Sequence, residues 1–343
     1  MIEAPVPAAN LFTPSTAYKP FRYPWAFEYY DRQQRTHWLA NEIVMGPDAK
    51  DWQAMPAAER NLLTQVFRFF VQGDVDVSEG YSMRFLRRFP VTEVRMMLNA
   101  FANVESIHMH AYSLLLDTVG MPETEYQAFK EYSAMAAKHD YLHRIPDDTI
   151  ENLAFSLAVY SALIEGVQLF SSFAILLNFT RFGKMLGMGQ ILAYSVRDEQ
   201  LHVEGNSRLF RQMLIEFPEI HTKAMRHRIQ DAARDMVGLE ERFIDLAFEQ
   251  GPLRGLTPAE VKSFVRYIAD LRLRGLGLKP IFKDGKPLAW LEDLLAGVEH
   301  ANIFEVKGTE YSRGATTGSW EDVWAAMDLQ QESLRDRAEA GSV

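Results

Sequence analysis

The feature that most restricts this chain is a pair of Glu-x-x-His motifs, Glu105–His108 and Glu199–His202, each preceded by a lone acid in an apolar stretch. Asp74 lies in VFRFFVQGDVDV, 31 residues before Glu105; Glu165 lies in YSALIEGVQLF, 34 residues before Glu199. Residues three apart share a helix face, so each motif presents a carboxylate beside an imidazole. A separation of just over thirty residues lets one helix end, turn and return antiparallel, which brings each lone acid opposite a Glu-x-x-His. Four carboxylates and two imidazoles then meet in an apolar interior, where unpaired acids are costly. Two metal ions bridged and capped by these six side chains would account for them. A buried ion-pair network with Arg68 or Arg197 is the alternative.

Cysteine is absent, which removes disulfides, thiolate metal sites, cysteine nucleophiles and iron–sulfur ligation. Any metal here must take His, Asp and Glu, donors that suit iron or manganese and also zinc. The formal net charge of −10 speaks against a general nucleic-acid binder. Neither a transmembrane span nor a signal peptide is read, and the expectation is a cytoplasmic protein.

Of the 343 residues, 48% are hydrophobic, enough for one large buried core. Long segments rich in Ala, Leu, Met, Glu and Arg are broken at Phe89-Pro90, Gly120-Met121-Pro122 and Phe217-Pro218. Asp147-Asp148-Thr149 is a start signal for the helix running through Glu165. The fold class expected is all-α: a ferritin-like helical bundle with additional helices, since such bundles place a Glu-x-x-His on each of two helices and a single acid on each of two others. An extended N-terminal arm is expected over residues 1–30, the dimetal-carboxylate domain over 31–304, and a flexible C-terminal tail over 305–343.

The flanking residues narrow the choice among dimetal bundles. In NVESIHMHAYSLLL, Tyr112 follows Glu105 by seven residues and His108 by four, on the same helix face; in SVRDEQLH, Asp198 directly precedes Glu199. With IEGVQLFSSFA, these segments resemble the signatures of the class I ribonucleotide reductase small (β) subunit, and the resemblance runs from about Tyr23 to Trp320. It implies Asp74, Glu105 and His108 as ligands of one metal, and Glu165, Glu199 and His202 as ligands of the other. Tyr112 matches the radical-bearing tyrosine. Trp38, in RTHWLANEIVMGPDAKDW, matches the near-site tryptophan that passes an electron inward with the acid matched by Asp198. Tyr311, in NIFEVKGTEYSRG, matches the tail tyrosine that relays the radical between subunits. The resemblance further implies a dinuclear centre (Fe/Fe first, with Mn/Mn and Mn/Fe open), a large (α) subunit that reduces ribonucleoside di- or triphosphates, and a homodimer. An activating flavoprotein stays open. Ribonucleotide reduction needs thiols, so a chain without cysteine depends on such a partner.

Several positions depart from the family pattern. Phe173 fits the apolar lining of the radical pocket, but Leu169 stands where a Phe is frequent and Ser195 where an aliphatic residue is common. Gln168 and His110 add polar groups close in sequence to ligands. The polar C-terminus, RDRAEAGSV, differs from the family's docking end, and Trp320, Val323 and Trp324 are the alternative docking face. An O₂-activating oxidase or hydroxylase on the same bundle is the competing enzyme class; a ferritin-like metal store is the competing non-enzyme.

Overall fold

The computed structural model describes residues 9–294 apart from 129–130, 132, 286–287 and 292. A compact unit extends to Glu292, and the unit that begins at Asp293 lies almost wholly outside the described residues. The domain end expected at 304, the tail from 305, Tyr311, and the Trp320–Val323–Trp324 face therefore lie outside them too.

The described residues are helical, with one isolated bridge, Leu253 to Leu256, and no strand. The helices used below are α1 (Pro24–Arg35), α2 (Gly46–Ala54), α3 (Ala57–Glu79), α4 (Thr92–Val119), α5 (Ser133–His143), α6 (Ile150–Ala158), α7 (Phe170–Arg181), α8 (Leu186–Glu216), α9 (Lys223–Ala247) and α10 (Pro258–Gly275). Their ends follow local chemistry. Thr149 accepts a hydrogen bond from the Asn152 N–H and so caps α6, as its start signal predicts. At the end of α4, Gly120 takes φ +78°, and the Met121 N–H reaches back to the Leu116 carbonyl. The run that begins with α3 stops at Arg88, ahead of Pro90, and α8 stops at Glu216, ahead of Pro218.

The first helix begins earlier than expected. Residues 9–23 are irregular, but α1 starts at Pro24, inside the expected 1–30 arm. Proline suits the first helical position because the N–H it lacks has no intrahelical acceptor there. The aromatic residues that looked like arm are packing groups: α1 lies along α4, with Trp25 buried. The irregular segment is also tied down. Tyr23 donates its hydroxyl to Glu216 at 2.6 Å, the Leu11 N–H donates to the same carboxylate, and Phe12 packs between Phe89 and Phe217.

Two stretches leave the α-helical path for π-helix, Gly80–Phe85 after α3 and Val159–Gln168 between α6 and α7. They meet through Gly80: a Cβ there would lie 2.3 Å from the Tyr160 ring. Phe85 packs edge-on against the same ring at 5.5 Å. The continuous helical run Ile150–Arg181 is long and apolar enough to cross a membrane, but its most apolar window is entirely buried by the surrounding helices, as befits a central core element. It packs on α8, α9 and α10 through its π segment.

Gly80→Ala is expected to displace Tyr160 and destabilise the fold by about 1–3 kcal/mol. Thermal unfolding followed by circular dichroism measures this. An unchanged melting temperature would show that the two π segments do not depend on that contact.

Candidate metal centre

Four helical segments supply the six side chains singled out from sequence. Asp74 comes from α3, Glu105 and His108 from α4, Glu165 from the Val159–Gln168 π segment, and Glu199 and His202 from α8. All six are buried to 1% exposure or less. They form two overlapping clusters, Asp74–Glu105–His108–Glu199 and Glu105–Glu165–Glu199–His202, each with donor atoms within 4.8 Å of one another. Glu105 and Glu199 belong to both, with Asp74 in one cluster only and Glu165 in the other.

The donor atoms fit a metal pair better than an ion-pair network. Both oxygens of Asp74, one oxygen each of Glu165 and Glu199, and His202 Nε2 are buried without a hydrogen-bond partner; Glu105 meets only the imidazoles, with His202 Nδ1 at 3.0 Å and His108 Nδ1 at 3.6 Å. Orphans in such number are rare in folded proteins, and these converge on one place. Arg197, one of the two arginines considered as partners, instead binds Asp198 and the Thr36 carbonyl, while Arg68 bonds Glu125 and Gln65.

Without metal, the charges are held by proton uptake. Burial and then the neighbouring Glu105 push Asp74 well above the usual carboxylate range. Burial, then Glu199 and Glu105, do the same to Glu165. Glu199 rises to about 7, through burial and the charge of Glu105. Glu105 moves down, because contacts with the two imidazoles outweigh its burial. His108 is raised despite burial, through Asp198, Glu105 and Glu199.

A second ring of side chains orients the first. His108 Nε2 lies 3.4 Å from Asp198 Oδ2, which aims Nδ1 at the carboxylates. The same Asp198 oxygen accepts the Trp38 indole N–H at 2.8 Å, and its other oxygen accepts from Gln33 and Arg197. Trp38, Asp198 and His108 thus form one continuous buried chain. Around Glu165, Asn206 donates to the Tyr81 hydroxyl at 2.6 Å, and both residues hydrogen-bond the carboxylate. Arg272 donates to the Gly166 carbonyl at 3.0 Å and to Gln200 Oε1 at 2.8 Å, so it holds the residues that follow Glu165 and Glu199. A Cβ at Gly166 would meet Arg272 Nε at 2.8 Å, so glycine there makes room for the guanidinium.

Gln33, Tyr81, Asn206 and Arg272 were not singled out from sequence. Each is distant in the chain from the group it supports, and the sequence carried no local signal for them.

Tyr112 is buried, and its hydroxyl donates to Ser195 Oγ at 2.7 Å. Its phenol is pushed well up by burial and then by the charge of Asp74, with the Ser195 bond working the other way. Ser195, a departure from the family pattern, therefore accepts a hydrogen bond from the phenol. Leu169 and Phe173 are buried as lining residues should be, and Leu169 packs toward Gly73 beside Asp74. Gln168 is buried with Oε1 unpartnered, while His110 is exposed and turned away.

With this geometry in place, similarity to known proteins decides the family. The family described as "Ribonucleotide reductase, small chain" matches residues 15–287. The chain belongs to the ribonucleotide reductase small-chain family. It is 41% identical over 334 residues to ribonucleoside-diphosphate reductase small subunit 048L of Invertebrate iridescent virus 3, covering 92% of this chain and 89% of that one. Small subunit 376L of Invertebrate iridescent virus 6 is 38% identical, with 90% and 96% covered. Among solved structures, the ribonucleotide reductase R2 subunit from Clostridium botulinum shares the fold with a TM-score of 0.75 at 24% identity, covering 80% of this chain and 89% of that one. Dimanganese(II)-NrdF of Streptococcus sanguinis does so with a TM-score of 0.70 at 20% identity, covering 79% and 94%. This ribonucleotide reductase small chain is accordingly an oxidoreductase subunit with the ferritin-like bundle expected of it.

Since Glu165 holds a proton when no metal is bound, Glu165→Gln is expected to melt at or above the wild-type temperature in metal-free form. Anaerobic Fe(II) or Mn(II) should raise wild-type stability by about 2.7 kcal/mol at a free concentration of roughly 100 Kd, and Glu165→Gln should lose that gain. A variant less stable without metal yet equally stabilised by it would rule out Glu165 as a ligand.

Proposed function

We propose that this small chain holds a dinuclear centre through Asp74, Glu105, His108, Glu165, Glu199 and His202, and that Tyr112 stores the oxidising equivalent made there. The observation that carries this reading is a buried phenol beside six converging, largely unpartnered metal donors, with a Trp38–Asp198–His108 chain leading to the same cluster. The oxygen-rich donor set suits iron or manganese. Fe/Fe is the first assignment, with Mn/Mn and Mn/Fe as the alternatives that elemental analysis separates; an activating flavoprotein stays open as a further partner. When bound, the metal pair supplies the power to reduce O₂, or a reduced oxygen species, and to oxidise a nearby side chain.

The protein's own groups then have distinct tasks. Tyr112 gives up an electron together with its phenolic proton. Ser195 fixes the hydroxyl, and Leu169 and Phe173 keep water and external reductants away. Trp38 passes an electron inward. Its indole N–H is hydrogen-bonded to Asp198, which Arg197, Gln33 and His108 hold ionised and in place. Tyr311, outside the described residues, is the proposed outward relay to a cysteine of a separate large subunit. The curated relatives are named ribonucleoside-diphosphate reductases, which favours diphosphates as that partner's substrate. A homodimer is part of the same reading; the Saccharomyces cerevisiae Rnr4 homodimer shares this fold with a TM-score of 0.72. Cytoplasmic location is proposed with it. An oxidase or hydroxylase on this bundle would have no use for Trp38 and Tyr112 together.

Electron paramagnetic resonance after metal loading and exposure to O₂ tests the proposal. Wild type should show a tyrosyl signal, and Tyr112→Phe should lose it at equal metal content. Trp38→Phe should keep the signal but reduce ribonucleotides at background rate with the large subunit. A wild-type protein that loads and oxidises metal without forming a persistent radical or high-valent oxidant would defeat the storage role.

A further inference from the structure

A second group of metal-type ligands lies away from the central cluster and has no part in the chemistry above. Asp76 on α3 and His139 and His143 on α5 bring one donor atom each to within 4.8 Å of one another. The two imidazoles are four residues apart, on one face of α5, with ring centroids 4.4 Å apart. Asp76 follows Asp74 by two residues, so the helix turns it away from the central cluster and toward α5. Its Oδ2 lies 2.8 Å from His139 Nδ1, and its Oδ1 accepts from Gln72 at 2.9 Å. The carboxylate is therefore already oriented, as ligating carboxylates usually are by a supporting hydrogen bond. Asp76 is buried, His139 half-buried and His143 exposed, so the group opens to solvent on one side.

The helix that carries the two histidines is firmly seated. Lys138, the residue before His139, is fully buried and paired with Glu240 of α9. Its ammonium lies 3.5 Å from the centroid of the Phe69 ring of α3 and 4.4 Å from that of Phe243 of α9. Glu240 also accepts from Ser171 of α7. Burying a lysine this deeply is costly, and it fixes the rotation of α5 about its axis. That rotation is the one that turns His139 and His143 toward Asp76.

We propose that Asp76, His139 and His143 form a third, mononuclear site for a late first-row divalent cation of the zinc class. Two imidazoles and one carboxylate, with an open side for water, are a ligand set typical of exposed zinc sites. A cation bound there would join α5 to α3, the helix that supplies Asp74, and so couple a peripheral helix to the central ligand framework.

Co(II), a spectroscopic stand-in for Zn(II), tests this on the full chain purified without a histidine tag. Titration is followed by visible d–d absorption and by metal analysis, in wild type and in His143→Ala. His143 is exposed, so its loss should leave the fold intact. Wild type should bind one Co(II) more than His143→Ala, whatever number the central cluster takes, and Zn(II) should displace it. Affinity at this position should fall by roughly tenfold or more in His143→Ala and in His139→Ala. Equal stoichiometry and spectra in wild type and His143→Ala would overturn the assignment, and so would a third equivalent that survives both substitutions.

Discussion

Four carboxylates gathered in a dry interior impose the condition that the rest of this fold has to meet. At the separations inside the two clusters, ionised acids repel strongly, and none can be hydrated. Without metal, the protein meets the condition with protons: Asp74 and Glu165 move up into the range where they stay protonated, while Glu105 keeps its charge between two imidazoles. A metal pair held by these side chains would reverse this settlement, since the groups would have to release their protons before coordinating it. The same four helical segments must hold position through both states. Long helices with apolar surroundings suit that task, because packed interiors transmit strain instead of absorbing it.

What keeps the six clustered side chains in place is a set of polar groups at one remove. Asp198 gathers donors from α1, from Trp38 and from its own helix, and so fixes which nitrogen of His108 faces the cluster. Arg272 spans from α10 to the π segment and α8, tying down the neighbours of Glu165 and Glu199. Burial lowers the Arg272 guanidinium to about 10, still high enough to remain charged near neutral pH. The charge of Arg272 also interacts favourably with Glu199, one acid of the cluster. The coupling is physical: moving Arg272 would release the Gly166 carbonyl within the π segment that carries Glu165.

The bundle and the gathering of six buried side chains were legible in the sequence because both rest on helical periodicity and on acids placed where acids are expensive. Ile150–Arg181 shows where that legibility ends. Its most apolar window is buried on every side, so no exposed face marks a phase from which a switch from α to π winding could be read. The start of α1 was hidden for a different reason: its aromatic residues and proline imitate an irregular arm until α4 gives them a surface to pack on. The outer residues Gln33, Tyr81, Asn206 and Arg272 were unreadable in principle. Their partners lie about forty residues or more away in sequence, and only the assembled fold brings them together.

Ser195 shows how one departure from a family pattern acquires physical meaning. An aliphatic residue at this position would leave the Tyr112 hydroxyl to other partners, whereas the serine oxygen accepts its hydrogen at 2.7 Å. A hydrogen bond to a neutral hydroxyl holds the phenol without pulling its proton away, since serine is too weak a base to keep it. Burial raises the phenol and outweighs the opposite effect of the Ser195 bond, so the ground state is a firmly protonated tyrosine. If that tyrosine is oxidised as proposed, the proton would have to move along with the electron. The Ser195 hydroxyl could then turn and donate to the phenoxyl oxygen. The same side chain would thereby accept from the reduced form and donate to the oxidised one, so that a small, buried, uncharged group would serve both states.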